Sequence, residues 1–350
     1  MCANWLEVRK TNWHIIIGMS IVFLNTTMNR KECSVMNPLI ILTGPTAAGK
    51  TKLSIALAKA INGEIISADS MQVYRHMNIG SAKIRQEEMQ GVKHYLVDIF
   101  EPTEAFHIVL FQKYAKQAIA EIYAKEKIPI IVGGTGFYIQ SVLYDIDFQE
   151  GEEDPALREN LEQIAREKGT EFLHNLLKEC DPKAAEEIHA NNTKRVIRAI
   201  EFNRQTGKKI SEHNKTEREK KSMYDSRYFV LTDQRERLYK AIDKRVDQMI
   251  AEGLVDEVKR LMEMGCKRDS TAMQGLGYKE IISYLMDEIS LEEAVYTIKR
   301  DTRHFAKRQL TWFRRERDVI WIEKDKFAYD EEKMLHYIET KLWKETRGND

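Results

Sequence analysis

Eight consecutive residues, Gly44, Pro45, Thr46, Ala47, Ala48, Gly49, Lys50 and Thr51, have the types and spacing of a phosphate cradle. The two glycines allow the backbone to turn so tightly that successive N–H groups point into one concavity. Lys50 is long enough to reach outer phosphates, and the Thr51 hydroxyl suits Mg²⁺. Two further groups invite chemistry. Asp69 follows the short apolar stretch Ile65–Ala68; a carboxylate there serves as a water-mediated metal ligand, a helix cap or a general base. Thr135, inside Gly133-Gly134-Thr135-Gly136, either caps a helix or offers its hydroxyl and N–H to a phosphate or a base.

The elements that must position these groups follow from periodicity. Leu39–Leu42 is an apolar run of strand length, and Leu53, Leu57 and Ile61 recur at helical spacing after the glycine loop. Strand, glycine loop and helix together form the context that a phosphate-binding P-loop requires. Strand patterns at Ile65–Ala68, Tyr95–Ile99 and Ile128–Val132 alternate with helical patterns at Phe111–Tyr123 and Phe137–Leu143. Such alternation predicts an α/β fold, a P-loop domain with a mainly parallel sheet flanked by helices. Ligands of such sheets sit at the carboxyl ends of the strands, where the P-loop, Asp69 and Thr135 all fall.

From residue 147 to 221 the chain turns charged and helical, which predicts an all-helical insertion domain. Asp154-Pro155 and Asp181-Pro182 read as helix starts, while Lys215–Lys221 reads as a solvated turn. Strand pattern returns at Tyr228–Leu231. Helices are expected at Arg235–Glu252, Leu254–Met264 and Leu291–Arg317, and a last strand at Val319–Ile322. The expected division is a P-loop core over 37–146 and 222–335, an insertion over 147–221, a poorly ordered extension over 1–36 with Met36 as the working start, and a C-terminal tail over 336–350.

Lysine plus arginine and aspartate plus glutamate both number 55, so no global field announces a polyanionic partner. Such a partner must meet a local patch. The best candidate is Lys299, Arg300, Arg303, His304, Lys307, Arg308, Arg314, Arg315 and Arg317, opposed only by Asp301 and Glu316. Lys194, Arg195 and Arg198 form a second basic segment. Cys2, Cys33, Cys180 and Cys266 are scattered, which argues against a zinc site or disulfide framework and for a reduced, cytoplasmic setting. The apolar run His14–Leu24 is too short to span a bilayer, so no membrane association is expected.

On these residues the chain resembles the bacterial tRNA isopentenyltransferase family, the tRNA dimethylallyltransferases. The resemblance rests on Gly44–Thr51, Ile66–Tyr74, Ile79–Lys83, Val132–Tyr138, Ile188–Asn192, Gly275–Lys279 and Ala306–Arg314, in that order along the chain. It implies transfer of a dimethylallyl group from dimethylallyl diphosphate to N6 of adenosine 37, beside the anticodon, in tRNAs reading codons that begin with U. By that resemblance the P-loop residues hold the diphosphate, with Thr51 on Mg²⁺. Asp69, Thr135 and Arg158 are catalytic. Asp69, Ser70, Met71, Gln72, Thr135, Arg158, Lys194, Arg195, Val196, Ile197, Arg198, Gln274, Gly275, Leu276, Gly277, Tyr278 and Lys279 touch tRNA. A bacterial-type, monomeric enzyme whose helical insertion grips the anticodon stem is implied.

Three other readings compete. A P-loop kinase of a small substrate keeps the P-loop, with ATP as the polyphosphate, but gives the insertion and the basic helix no task. An adenylate isopentenyltransferase is expected to be shorter. A nucleotide-gated RNA-binding module has no need of Asp69 at the mouth.

Overall fold

The computed structural model describes residues 37–148 and 154–342. The expected N-terminal extension over 1–36 lies outside the described residues. Six strands, β1 (Pro38–Thr43), β2 (Gly63–Ala68), β3 (His94–Tyr95), β4 (Ile128–Gly133), β5 (Asp225–Thr232) and β6 (Val319–Glu323), form one sheet in the order β3-β2-β4-β1-β5-β6. Every pairing is parallel. Parallel neighbours cannot be joined by tight turns, so helices make the crossovers and cover the strands. This explains why Leu39–Leu42 and Ile130–Ile131 read as unbroken apolar runs: all are buried.

The chain divides into two compact units. One holds the sheet and comprises the described residues up to 106, with 113–136 and those from 224 onward. The helix Lys50–Ala60 buries Leu53 and Leu57 in its core, which also takes Met334 and Ile338 from the helix Glu331–Leu342. That helix corrects the expectation of a tail beginning at residue 336. Its apolar positions return to the P-loop helix, and Lys52 pairs with Glu331 at 2.9 Å.

The second unit comprises 107–112 and the described part of 137–223. Helices Pro155–Lys168, Thr170–Cys180, Pro182–Glu187, Thr193–Thr206 and Ile210–Glu219 enclose Leu161, Leu173, Leu177, Val196 and Ile200. Asp154 and Asp181 cap helices by accepting from the N–H groups of Leu157 (2.9 Å) and Ala184 (3.1 Å), each with proline in the first turn, as their spacing predicts.

Three local expectations change. Of Tyr95–Ile99 only Tyr95 joins a strand, because Leu96 and Asp98 turn to positive φ (61° and 55°) and leave the ladder. Lys215–Glu219 is helical rather than a solvated turn, since Glu217 is buried and accepts from the N–H of Asp147 at 2.9 Å. The helix expected over Leu291–Arg317 spans Leu291–Phe313 and buries Ala294, Ile298, Ala306, Gln309 and Phe313. Among the described residues no helix is long and apolar enough to cross a membrane.

Candidate active site

Strand register sets the site. Thr43 of β1 and Ala68 of β2 both pair with Gly133 of β4, so the loops opening at Gly44, Asp69 and Gly134 leave three adjacent strands at one level. Side-chain and backbone bonds lock this alignment: the Thr43 hydroxyl donates to the Gly133 carbonyl (2.6 Å), and the Thr135 N–H donates to the Ala68 carbonyl (3.3 Å).

Gly44 has φ +147°, and a Cβ there would overlap the Leu231 carbonyl of β5. Only glycine lets the P-loop begin this close to the next strand. Ala47 (φ 62°) and Gly49 (φ 94°) are left-handed, and the helix starts at Lys50. Alternating backbone handedness ahead of a helix N-terminus gathers N–H groups into an anion-binding nest. Lys50 Nζ donates to the carbonyls of Gly44 (3.0 Å) and Pro45 (2.8 Å), lying along the inside of that loop. Burial holds its pKa down to about 8; the Arg245 guanidinium pushes the same way, and the Asp69 carboxylate opposes both.

Arg245, on the helix Arg235–Ala251, is the cation that sequence reasoning missed. It is half-buried, and burial lowers its pKa against the pull of Asp69. Two cations and one carboxylate thus share one field, with only Asp69 and Lys50 announced by a motif. Asp69 itself is half-buried, and its Oδ1 accepts from the Met71 N–H at 2.9 Å.

The glycines around Thr135 answer to packing. A Cβ on Gly133 would overlap Ala68, one on Gly134 the Gln309 amide, and one on Gly136 the Trp312 indole. Gln309 reaches both mouth loops: its Oε1 accepts from the Thr46 N–H, and its Nε2 donates to the Gly134 carbonyl, each at 2.9 Å.

The stretches 69–72 and 274–279 come together, since a Cβ on Gly275 would lie 2.7 Å from Met71 Sδ. Ser70, Met71 and Gln72 are half-buried; Gln274 is exposed; Leu276 and Lys279 are half-exposed. Tyr278 corrects the expectation of a tRNA contact. It is fully buried, and its hydroxyl donates to the buried Glu257 (2.8 Å), which also accepts from the N–H groups of Asn78, Ile79 and Gly80. Burial and the nearby Glu257 and Asp69 carboxylates raise the Tyr278 pKa well above its usual value.

In the helical unit, Val196 and Ile197 are likewise corrected: they face its apolar core, leaving Lys194, Arg195 and Arg198 exposed. Helical periodicity forces this split, because five consecutive residues cannot share one face. Arg158 lies in this unit and donates twice to the buried Glu201, both at 2.8 Å.

The basic helix is partly neutralised by its own ion pairs. Lys299, Arg300 and Arg303 pair with Asp247, Asp301 and Asp243. Further along, His304, Lys307, Arg308, Thr311, Trp312 and Arg315 line a cleft of about 400 Å³. Among the described residues no cluster of three His, Cys, Asp or Glu side chains could hold a metal. The Thr51 hydroxyl, on an exposed residue in the first turn of the helix Lys50–Ala60, is a hard oxygen donor of the kind Mg²⁺ takes beside phosphate oxygens.

Comparison with known proteins decides the family. The IPP transferase family model matches residues 72–316. This chain belongs to the IPP transferase family. It is 63% identical over 295 residues to the tRNA dimethylallyltransferase of Lachnoclostridium phytofermentans, covering 84% of this chain and 94% of that protein. It is 53% identical over 308 residues to the tRNA dimethylallyltransferase of Acetivibrio thermocellus, covering 87% and 98%. Among solved structures it is similar to a tRNA isopentenylpyrophosphate transferase of Bacillus halodurans, at 44% identity and TM-score 0.66 over 87% of this chain and 97% of that one. It is also similar to a eukaryotic dimethylallyltransferase described as acting on tRNA, at 30% identity and TM-score 0.70, covering 82% and 74%. The P-loop and Asp69 precede the span that the family model matches.

Proposed function

We propose that this chain transfers a dimethylallyl group from dimethylallyl diphosphate to N6 of adenosine 37 in tRNAs reading codons that begin with U. The observation that carries this reading is the register that brings the P-loop, the Asp69 loop and the Thr135 turn off three adjacent strands at one level. An anion cradle beside a carboxylate suits a reaction in which an anion leaves as a proton is lost.

The C1–O bond of the allyl diphosphate breaks, and its electron pair leaves with the diphosphate. The N6–C1 bond forms, and one N6 proton passes to Asp69 as general base. The P-loop N–H groups, Lys50 and Arg245 stabilise the charge that grows on the leaving group. Mg²⁺, held by the Thr51 hydroxyl and the diphosphate oxygens, would supply further charge neutralisation. Thr135, tied to the residue before Asp69, offers its hydroxyl beside the transferred group.

The adenine must leave its stack to enter such a site. Lys307, Arg308 and Arg315 in the cleft, with Lys194, Arg195 and Arg198 of the helical unit, provide sequence-independent contacts to the tRNA backbone. Arg158, its guanidinium held by Glu201, keeps the catalytic and tRNA-contacting roles that the resemblance implies. A monomer working in the cytoplasm fits this reading.

The deciding experiment incubates the protein with Mg²⁺, a tRNA reading a UNN codon and isotopically labelled dimethylallyl diphosphate. Label at N6 of adenosine 37 is the expected result. Hydrolysis of ATP with no label in tRNA overturns the reading in favour of a kinase or ATPase.

A further inference from the structure

We infer that Gln309 is a positioning residue of the transfer site, a two-ended amide that fixes the spacing between the diphosphate cradle and the Thr135 turn. This rests on the transfer reaction proposed above. Gln309 is 6% exposed, and it meets backbone at both ends. The Thr46 N–H requires an acceptor, and the Gly134 carbonyl requires a donor. A carboxamide is the side chain that supplies one of each from a single planar group, and these partners fix which atom is oxygen and which nitrogen. Strand pairing aligns the two loops only as far as Thr43 and Gly133. Beyond that level, Gln309 is the described side chain bonded to both. Gly134 is part of the same device, since a Cβ there would occupy the place of the Gln309 amide.

The same helix carries the basic cleft on a different face: Lys307, Arg308 and Thr311 are exposed while Gln309 points inward. The element proposed to meet tRNA phosphates therefore also braces both mouth loops. A shift of about 1 Å between reacting groups costs roughly 100-fold in rate, so a brace of this kind reports in turnover rather than in substrate affinity.

The test compares Q309M, Q309E and G134A with the unaltered protein. Kinetics of labelled dimethylallyl transfer are normalised to folded protein, and the Kd for inorganic pyrophosphate is measured alongside. Q309M keeps the volume and loses both bonds; we expect kcat to fall at least tenfold, with the pyrophosphate Kd changed less than threefold. Q309E keeps the acceptor for Thr46 but sets a negative charge beside the cradle; it should raise the pyrophosphate Kd at least tenfold. G134A leaves the helix untouched and displaces only the amide; it should repeat the kcat loss of Q309M. The inference is overturned if Q309M and G134A keep kcat within twofold, whatever their thermal midpoints. It is also overturned if neither folds, which would make Gln309 a requirement of the fold alone. Failure of the unaltered protein to transfer label would instead reject the transfer reaction itself.

Discussion

The Lys50 ammonium and the Asp69 carboxylate share one electrostatic neighbourhood although their loops leave different strands, with β4 lying between. The acid raises the proton affinity of a lysine that burial and Arg245 lower. A diphosphate arriving in the cradle brings further negative charge to Lys50 and repels Asp69. That charge would stabilise the ammonium form of Lys50.

Asp69→Asn should remove the proton acceptor with little change in shape. Transfer is expected to slow by about 10²–10⁴-fold, the usual worth of a general base. tRNA affinity, measured by filter binding, should stay within about threefold, because the proposed phosphate contacts lie elsewhere. A parallel loss of tRNA binding and thermal midpoint would assign Asp69 a structural role.

Lys50 gives the site a pH dependence with a definite sign. Its pKa is about 8 in the free protein, and the negative charge of a bound diphosphate would raise it. Binding therefore takes up a proton above that value and not below it. The affinity for dimethylallyl diphosphate, measured by calorimetry without tRNA, should be steady below about pH 7 and roughly tenfold weaker at pH 9. Lys50→Met should bind weakly at both values, with no such slope.

Gly44→Ala drives a methyl group into the backbone carbonyl of Leu231, at a φ that side chains avoid. Neither partner is a flexible chain end that can move aside. A stability loss of about 3 kcal/mol or more is expected by denaturant unfolding. Pyrophosphate binding should vanish in the protein that remains folded.

Charge reversal in the cleft, K307E with R308E, should weaken tRNA binding most at low salt. The slope of log affinity against log salt should shrink by about one for each phosphate that the variant no longer neutralises. An unchanged slope would mean that this helix face is merely solvated.

The P-loop, Asp69 and Thr135 were legible because each sits where an apolar strand gives way to a polar turn, a boundary that sequence marks clearly. Arg245 was not, since a single arginine on an amphipathic helix looks like any surface cation until the sheet places it. Gln309 was visible only as one residue of the motif Ala306–Arg314; its two partners lie far back in the chain. Tyr278 shows the opposite error. The motif around it marks packing, with Gly275 admitting Met71 and the tyrosine bonded to Glu257. A motif alone does not say whether its residues face a substrate or one another. The strand expected to run to Ile99 stopped at Tyr95 because two non-glycine residues adopt left-handed φ, which their types do not announce.

The Thr46 N–H receives its side-chain acceptor from 263 residues further along the chain. At ribosomal speeds of ~5–20 residues per second, a newly made P-loop waits roughly 13–50 s before that amide is even synthesised. A nascent chain halted before Gln309 would display every residue of the glycine motif without the amide that braces them. Completion of the site therefore waits on the synthesis of the helix Leu291–Phe313, and a chain terminated before Gln309 lacks the brace.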